Sequence, residues 1–251
     1  MQVTDKLVLI TGAASGLGYA AAQVMLAAGA RVALFDRDAE RVEKAAQTLG
    51  GKACAYVADV VDAEAMATQI DRLGRLHALI NCAGIGPASR TIGRQGPMSL
   101  ELFERVLQVN LVGSFNAARL AAAAMARNDP DDGGERGVIV HTASIAAFEG
   151  QIGQVAYAAS KGGIVAMTLP MARDLAGLGI RVNAIAPGIF DTPLMQAAGE
   201  EVRQPLIAAT QFPKRLGEPE EFARLALHIL ENRFINASVL RIDGGLRMSP
   251  R

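Results

Sequence analysis

Short apolar runs alternate along this chain with longer stretches whose apolar residues recur at helical spacing, and no other feature constrains the fold as much. The runs at 7–11, 31–36, 53–58, 77–81, 138–142, 181–185 and 239–242 read as strands. Several, such as Val138-Ile139-Val140, lack a polar alternate, as strands buried on both faces do. Between them, 17–28, 39–49, 63–73, 99–127, 155–176 and 219–231 read as helices. Gly29 and Gly50 stand where helices end, and Pro219 opens the last one, where its missing N–H costs nothing. Strand and helix in strict turn predict an α/β fold: a doubly wound, seven-stranded parallel sheet with helices on both faces. No linker or repeat divides the 251 residues, so 1–251 reads as a single domain.

Composition narrows the function. Lys plus Arg and Asp plus Glu both number 25, and this zero net charge argues against a nucleic-acid partner. No apolar stretch approaches the roughly 20 residues of a membrane span, so no membrane partner is expected. Cys54 and Cys82 form no C-x-x-C pair, which excludes a disulfide framework and a cysteine zinc cluster. With no leader pattern in residues 1–6, a reducing, cytoplasmic setting is expected. His77, His141 and His228 share no ligand spacing, so no metal is expected and each reads as structural.

The first strand runs into Thr11-Gly12-Ala13-Ala14-Ser15-Gly16-Leu17-Gly18 and then a helix. Glycines there let the main chain approach a pyrophosphate, and the helix start offers N–H donors and positive dipole charge. The second strand ends in Asp36, about 20 positions on, where a carboxylate accepts from an adenosine ribose and repels a 2′-phosphate. This favours NAD, although Arg37 beside it is a possible phosphate partner. Asp59-Val60 after the third strand fits an adenine, or a plain helix cap. Asn81-Cys82-Ala83-Gly84 ends the fourth, where small residues let a cofactor approach the main chain. The nucleotide half is thus expected at about 1–136 of a Rossmann fold, and the catalytic and substrate half at about 137–251.

Tyr157 and Lys161 stand four apart in a helical stretch, which stacks them on one face. A tyrosine is a poor base at neutral pH, and a neighbouring ammonium and a positive nicotinamide would favour its phenolate. Ser144, just past the fifth strand, offers a hydroxyl to a substrate oxygen, and Gln151 follows close behind.

On these motifs, with Asn110 and Pro187-Gly188, the chain resembles the short-chain dehydrogenase/reductase family along essentially its whole length. Within it, Asn128-Asp129-Pro130-Asp131-Asp132-Gly133-Gly134, Ala147-Phe148-Glu149-Gly150-Gln151 and Met167-Thr168-Leu169-Pro170 resemble the type II 3-hydroxyacyl-CoA dehydrogenase subgroup, which also shares Cys82. The resemblance implies an NAD-dependent oxidoreductase with Tyr157 as base or acid, Lys161 on the nicotinamide ribose and Ser144 on the substrate oxygen. It implies that Asn110 bends its helix, that Ser15 and Leu17 meet the pyrophosphate, and that Pro187, Gly188, Phe190 and Thr192 line the nicotinamide end. It further implies a small-molecule substrate and a homotetramer built on helices 99–127 and 155–176. Steroids or secondary alcohols would suit the same site. A nucleotide-bound scaffold is the non-catalytic alternative, and the complete Ser144, Tyr157 and Lys161 set speaks against it.

Overall fold

The run at 7–11 becomes β1 (Leu7–Thr11), a strand buried at every residue. Its side chains alternate: Val8 and Ile10 enter the apolar layer on one face of the sheet, Leu7 and Leu9 the layer on the other. Both faces are therefore covered, which explains the missing polar alternates. The computed structural model describes residues 1–196 and 199–250; Ala197, Ala198 and Arg251 lie outside the described residues.

After β1 come α1 (Gly16–Ala27), β2 (Arg31–Asp36), α2 (Ala39–Leu49), β3 (Ala53–Val57), α3 (Ala63–Asp71) and β4 (Ala78–Asn81). A small antiparallel hairpin follows, β5 (Ile92–Gly93) and β6 (Gly96–Pro97). Then come α4 (Leu100–Leu107), α5 (Gly113–Met125), β7 (Gly137–Thr142), α6 (Ala146–Glu149) and α7 (Val155–Ala176). The last elements are β8 (Ile180–Pro187), α8 (Pro193–Gln196), α9 (Glu200–Ala209), α10 (Pro219–Glu231) and β9 (Val239–Ile242). The hairpin, α6, α8 and α9 lie in segments where the sequence predicted no regular element.

The seven long strands form one sheet in the order β3-β2-β1-β4-β7-β8-β9, every pair parallel. The chain winds outward from β1 to β3, then returns to β4 on the other side of β1. Ligands of such sheets bind past the strand ends at this reversal. On one face α1, α2 and α10 bury Met25, Val42 and Phe222; on the other α3, α5 and α7 bury Met66, Met125 and Met171.

Helix starts follow their capping residues. Asp38 accepts from Arg41 N at the start of α2, and Asp62 accepts from Glu64 N and Ala65 N at the start of α3. Pro219 opens α10 within a capping box made by Glu218 and Glu221. One expectation is corrected: 99–127 is not a continuous α-helix. A π-helical turn at Gln108–Val112 separates α4 from α5, and it carries Asn110. An extra residue in a turn leaves no trace in helical spacing, and it is the family resemblance, with its bend at Asn110, that points to this place.

Candidate active site

Past the ends of β1, β2 and β4 lies a cleft of about 290 Å³. It brings together Gly12, Ser15, Gly16, Leu17 and Gly18 of the first turn, Asp36, Asp59 and Val60, and Cys82, Ala83 and Gly84, with Thr192 opposite. These come from five separate stretches of sequence, four named from local pattern and Thr192 from the family resemblance. Phe35, Arg37, Arg41, Ala58, Ile85, Val109 and Pro193 complete the lining. Arg41 carried little signal: it lies in the first turn of α2, whereas Arg37 precedes that helix. Val109 carried none, because it arrives from the distant π-turn.

The main chain shapes this cleft for an extended anion. A Cβ on Gly12 would sit 2.8 Å from Ala83, and one on Gly18 would run into the Gly12 carbonyl oxygen. Only glycine permits this approach of β1 to the β4 end and of α1 to its own turn. The N-cap of α1, Ser15, makes no side-chain cap bond, and no acid stands in the first turn, unlike α2 and α3. The helix therefore presents its positive end to the cleft, a fit to a dinucleotide pyrophosphate. Asp36 is oriented by the chain, accepting from Ala14 N and Asp38 N, both at 3.2 Å.

Beneath the cleft, a buried polar chain ties the strand ends together. Thr11 Oγ1 donates to Asn81 Oδ1 at 3.2 Å and accepts from the Cys82 and Ala83 amides. Asn81 Nδ2 reaches the Ser114 carbonyl at 3.1 Å and His141 Nδ1 at 3.1 Å. Asn81 is thus a buried strut under the floor. Burial depresses the His141 imidazole to about 3, with the Lys161 charge adding to the effect, so it stays neutral. Cys82 is a weak acceptor of Thr142 Oγ1 at 3.6 Å, and burial pushes its thiol up to about 11.

Asn110 is fully buried. Its Oδ1 accepts from Ile85 N at 2.8 Å, and its Nδ2 donates to Ile85 O at 2.9 Å and Ser160 Oγ at 3.0 Å. The π-turn lets one amide clasp the post-β4 loop and α7 together. Next to it, Lys161 Nζ donates to the Thr142 carbonyl at 2.7 Å, and a Cβ on Gly84 would lie 3.8 Å from that ammonium. Lysine and cleft therefore meet at Gly84.

Tyr157 lies one turn before Lys161 on α7, its ring centroid 5.8 Å from Nζ. Ser144 follows β7 with 8% of its surface exposed. Its Oγ accepts from Ala146 N at 3.1 Å. Burial pushes the Tyr157 phenol above its ordinary value, while hydrogen bonding with Ser144 pulls it down. The lowering expected from Lys161 is not seen: its ammonium donates to Thr142 O, 5.8 Å from the Tyr157 ring centroid, and burial sets the direction. Burial also lowers Lys161 itself, to about 8.

The remaining expected residues are placed as follows. Pro187 ends β8, and Gly188 N donates to Ile242 O at 2.9 Å, so close to Asp243 that a Cβ would collide. The Phe190 ring does not reach the cleft: it is buried edge-on against Phe222, 6.5 Å between centroids, while Thr192 and Pro193 form the wall. Gln151 donates from Nε2 to Ser249 O at 3.1 Å. Among the described residues, no three His, Cys, Asp or Glu side chains are placed to hold a metal ion. None of their helices is long and apolar enough to cross a membrane.

A strand-reversal cleft with a glycine turn, and a serine, tyrosine and lysine at its rim, defines a class of dinucleotide-linked oxidoreductases. The family model described as short chain dehydrogenase matches residues 6–203, and the chain belongs to that family. It is 51% identical to a Bos taurus 3-hydroxyacyl-CoA dehydrogenase type-2, over 99% of this chain and 97% of that relative. The crystal structure of 3-hydroxyacyl-CoA dehydrogenase type-2 from Mycobacterium avium superimposes with a TM-score of 0.94 at 41% identity, covering 98% of both chains. A Brucella melitensis 3-oxoacyl-[acyl-carrier protein] reductase with bound NAD gives a TM-score of 0.86 at 32% identity, over 99% of this chain and 93% of that one. The protein is thus a single-domain short-chain dehydrogenase, an oxidoreductase enzyme with a nicotinamide cofactor.

Proposed function

We propose that this enzyme uses NAD to interconvert a 3-hydroxyacyl-CoA and its 3-ketoacyl-CoA. The observation that carries the chemistry is Tyr157, flanked by Ser144 and Lys161, at the rim of a cleft shaped for a dinucleotide. The substrate class is supported by the 3-hydroxyacyl-CoA dehydrogenase type-2 relatives. NAD over NADP is supported by Asp36, whose carboxylate would repel a 2′-phosphate.

The α1 amides with Ser15, Gly16 and Leu17 would hold the pyrophosphate, Asp36 the adenosine ribose, and Asp59 and Val60 the adenine. Ala83, Gly84, Pro187, Gly188 and Thr192 would flank the nicotinamide end, with Lys161 on its ribose. When bound, the nicotinamide supplies or accepts the hydride. Ser144 would hold the substrate oxygen and stabilise charge growing on it. A phenol kept protonated by burial is the form that donates to that oxygen, so Tyr157 is ready for reduction. Oxidation needs its phenolate, which Lys161 supports across one helical turn. Asn110 would keep α7 and the Ile85 loop in register.

The assembly we propose is a homotetramer. Between α5 and α7 runs an apolar groove of about 350 Å³, lined by Phe115, Ala122, Met167, Pro170 and Leu178. Light scattering should give four times the 26.3 kDa chain mass.

The test of the chemistry is Tyr157→Phe. Turnover should fall on the order of 10²–10⁴-fold, the usual value of a positioned proton donor. NADH affinity, read by calorimetry, should stay within about threefold. Near-normal turnover with cofactor bound would remove Tyr157 from the proton transfer.

A further inference from the structure

Residues 246–250 follow β9 and turn back over the loop between α6 and α7, the stretch that joins Ser144 to Tyr157. Four charges hold them there. Glu149 Oε1 lies 2.8 Å from Arg241 Nη1, and Oε2 accepts from Arg241 Nη2 at 3.3 Å and Met248 N at 3.1 Å. Asp243 Oδ2 accepts from Arg241 Nε at 2.7 Å and Arg247 Nη1 at 3.1 Å. Arg247 Nε is 3.4 Å from Glu149, and the Arg241 guanidinium lies over the Phe148 ring at 5.5 Å. Main-chain ties complete the clamp: Ser249 O accepts from Gln151 Nε2, and Pro250 O accepts from Ile152 N at 3.0 Å. The Glu149 and Asp243 side chains are only 22% and 10% exposed, so these pairs escape much of the screening that weakens surface ones.

Under this clamp lies a cavity of about 500 Å³, walled by Gln151, Ile152, Pro205, Leu206, Ala209 and Met248. Its wall is carried by the segments that flank the reacting groups. Gln154, also on its wall, stands one turn before Tyr157. The loop carrying Ala88, another wall residue, passes the Tyr157 ring at Gly86 and donates from Ser89 N to Gly153 O at 2.8 Å. Apart from Arg90, Glu201 and three uncharged polar residues the wall is aliphatic, and such a cavity one loop away from the tyrosine suits the apolar body of a substrate.

We propose that residues 246–250 form the outer wall of the substrate cavity, and that Met248 on that wall sets the acyl length accepted. Glu149 is the positioning residue that holds the wall, through Arg241 and Arg247. Gln151 then acts partly through Ser249. This rests on the reading that Tyr157 faces the reacting carbon of an acyl substrate.

The experiment measures kcat/KM with NADH for straight-chain 3-ketoacyl-CoA substrates of graded length, using the full chain. Met248→Ala should raise the long-to-short ratio by about tenfold, the usual worth of room for a methylene or two. Met248→Phe should lower it by a similar factor. Glu149→Gln should move the ratio by about threefold, through KM and not kcat, and Glu149→Asp should restore part of it. A damaged fold would depress every length in parallel. Ratios within about twofold of wild type in both Met248 variants would overturn the proposal. If the wild type turns over no acyl thioester, the acyl-CoA reading fails by itself. The same variants are then measured on plain ketones of graded length, where an unmoved ratio rejects the wall and a moved one upholds it.

Discussion

On the β1–β4 side of the cleft, the main chain sets the positions. Gly12 and Gly18 sit where a Cβ would strike neighbouring backbone, and Asp36 is aimed by two amides. On the β7–β9 side, long side chains and ion pairs do the holding: Lys161 on Thr142 O, Gln151 on Ser249 O, Glu149 between Arg241 and Arg247. A backbone cradle admits one ligand shape and tolerates almost no added atom. A wall held by side chains can be moved by exchanging one of them. The difference separates an invariant task, holding a nucleotide, from an adjustable one, choosing what it reacts with.

Three substitutions would break or sharpen this contrast. The largest effect belongs to Gly18→Ala, whose Cβ meets the Gly12 carbonyl. NADH affinity should fall by about a hundredfold or more, and calorimetry would read it. If affinity survived, the nucleotide side would not be held by close main-chain approach. Next comes Asp36→Ser, which removes the negative charge while Arg37 and Arg41 remain in the lining. The NADPH-to-NADH ratio of kcat/KM should rise by roughly ten- to a hundredfold, with the substrate-length profile unmoved.

The smallest effect concerns stability and pH at Lys161. Its folded value, about 8, lies below the ordinary 10.5. Between those values the unfolded chain binds a proton that the folded chain does not, so stability rises with pH across this window. Below it, the full cost of burying the ammonium is present. Lys161→Met should abolish that rise while removing most turnover. The thermal midpoint of the wild type, measured against Lys161→Met, should climb from pH 8 to pH 10.5 by a few degrees. A flat difference would mean the ammonium is not shielded from water.

How much of this was readable in the sequence depended on range along the chain. The 11–18 turn and Asp36 belong to one strand-turn-helix-strand unit, and Tyr157 and Lys161 share one helical face, so local spacing sufficed. The π-turn at Asn110 is hidden from spacing, which reads as helix from 99 to 127, and only the resemblance points to a bend there. Phe190 was expected near the nicotinamide by resemblance, but its ring packs into the core against Phe222, 32 residues further on. Gln151 and Ser249 are 98 positions apart, and Glu149 and Arg241 are 92 apart. No period connects such pairs; only the packing of α6 against the β9 end brings them together. The nucleotide half was therefore largely legible, whereas the substrate half required the folded chain.

Reduction of acetoacetyl-CoA, followed as loss of NADH absorbance with NADPH as the control, tests the central claim most directly. The account predicts rapid turnover with NADH and at least about tenfold slower turnover with NADPH. No turnover with NADH while the cofactor is demonstrably bound, or a preference for NADPH, would contradict it.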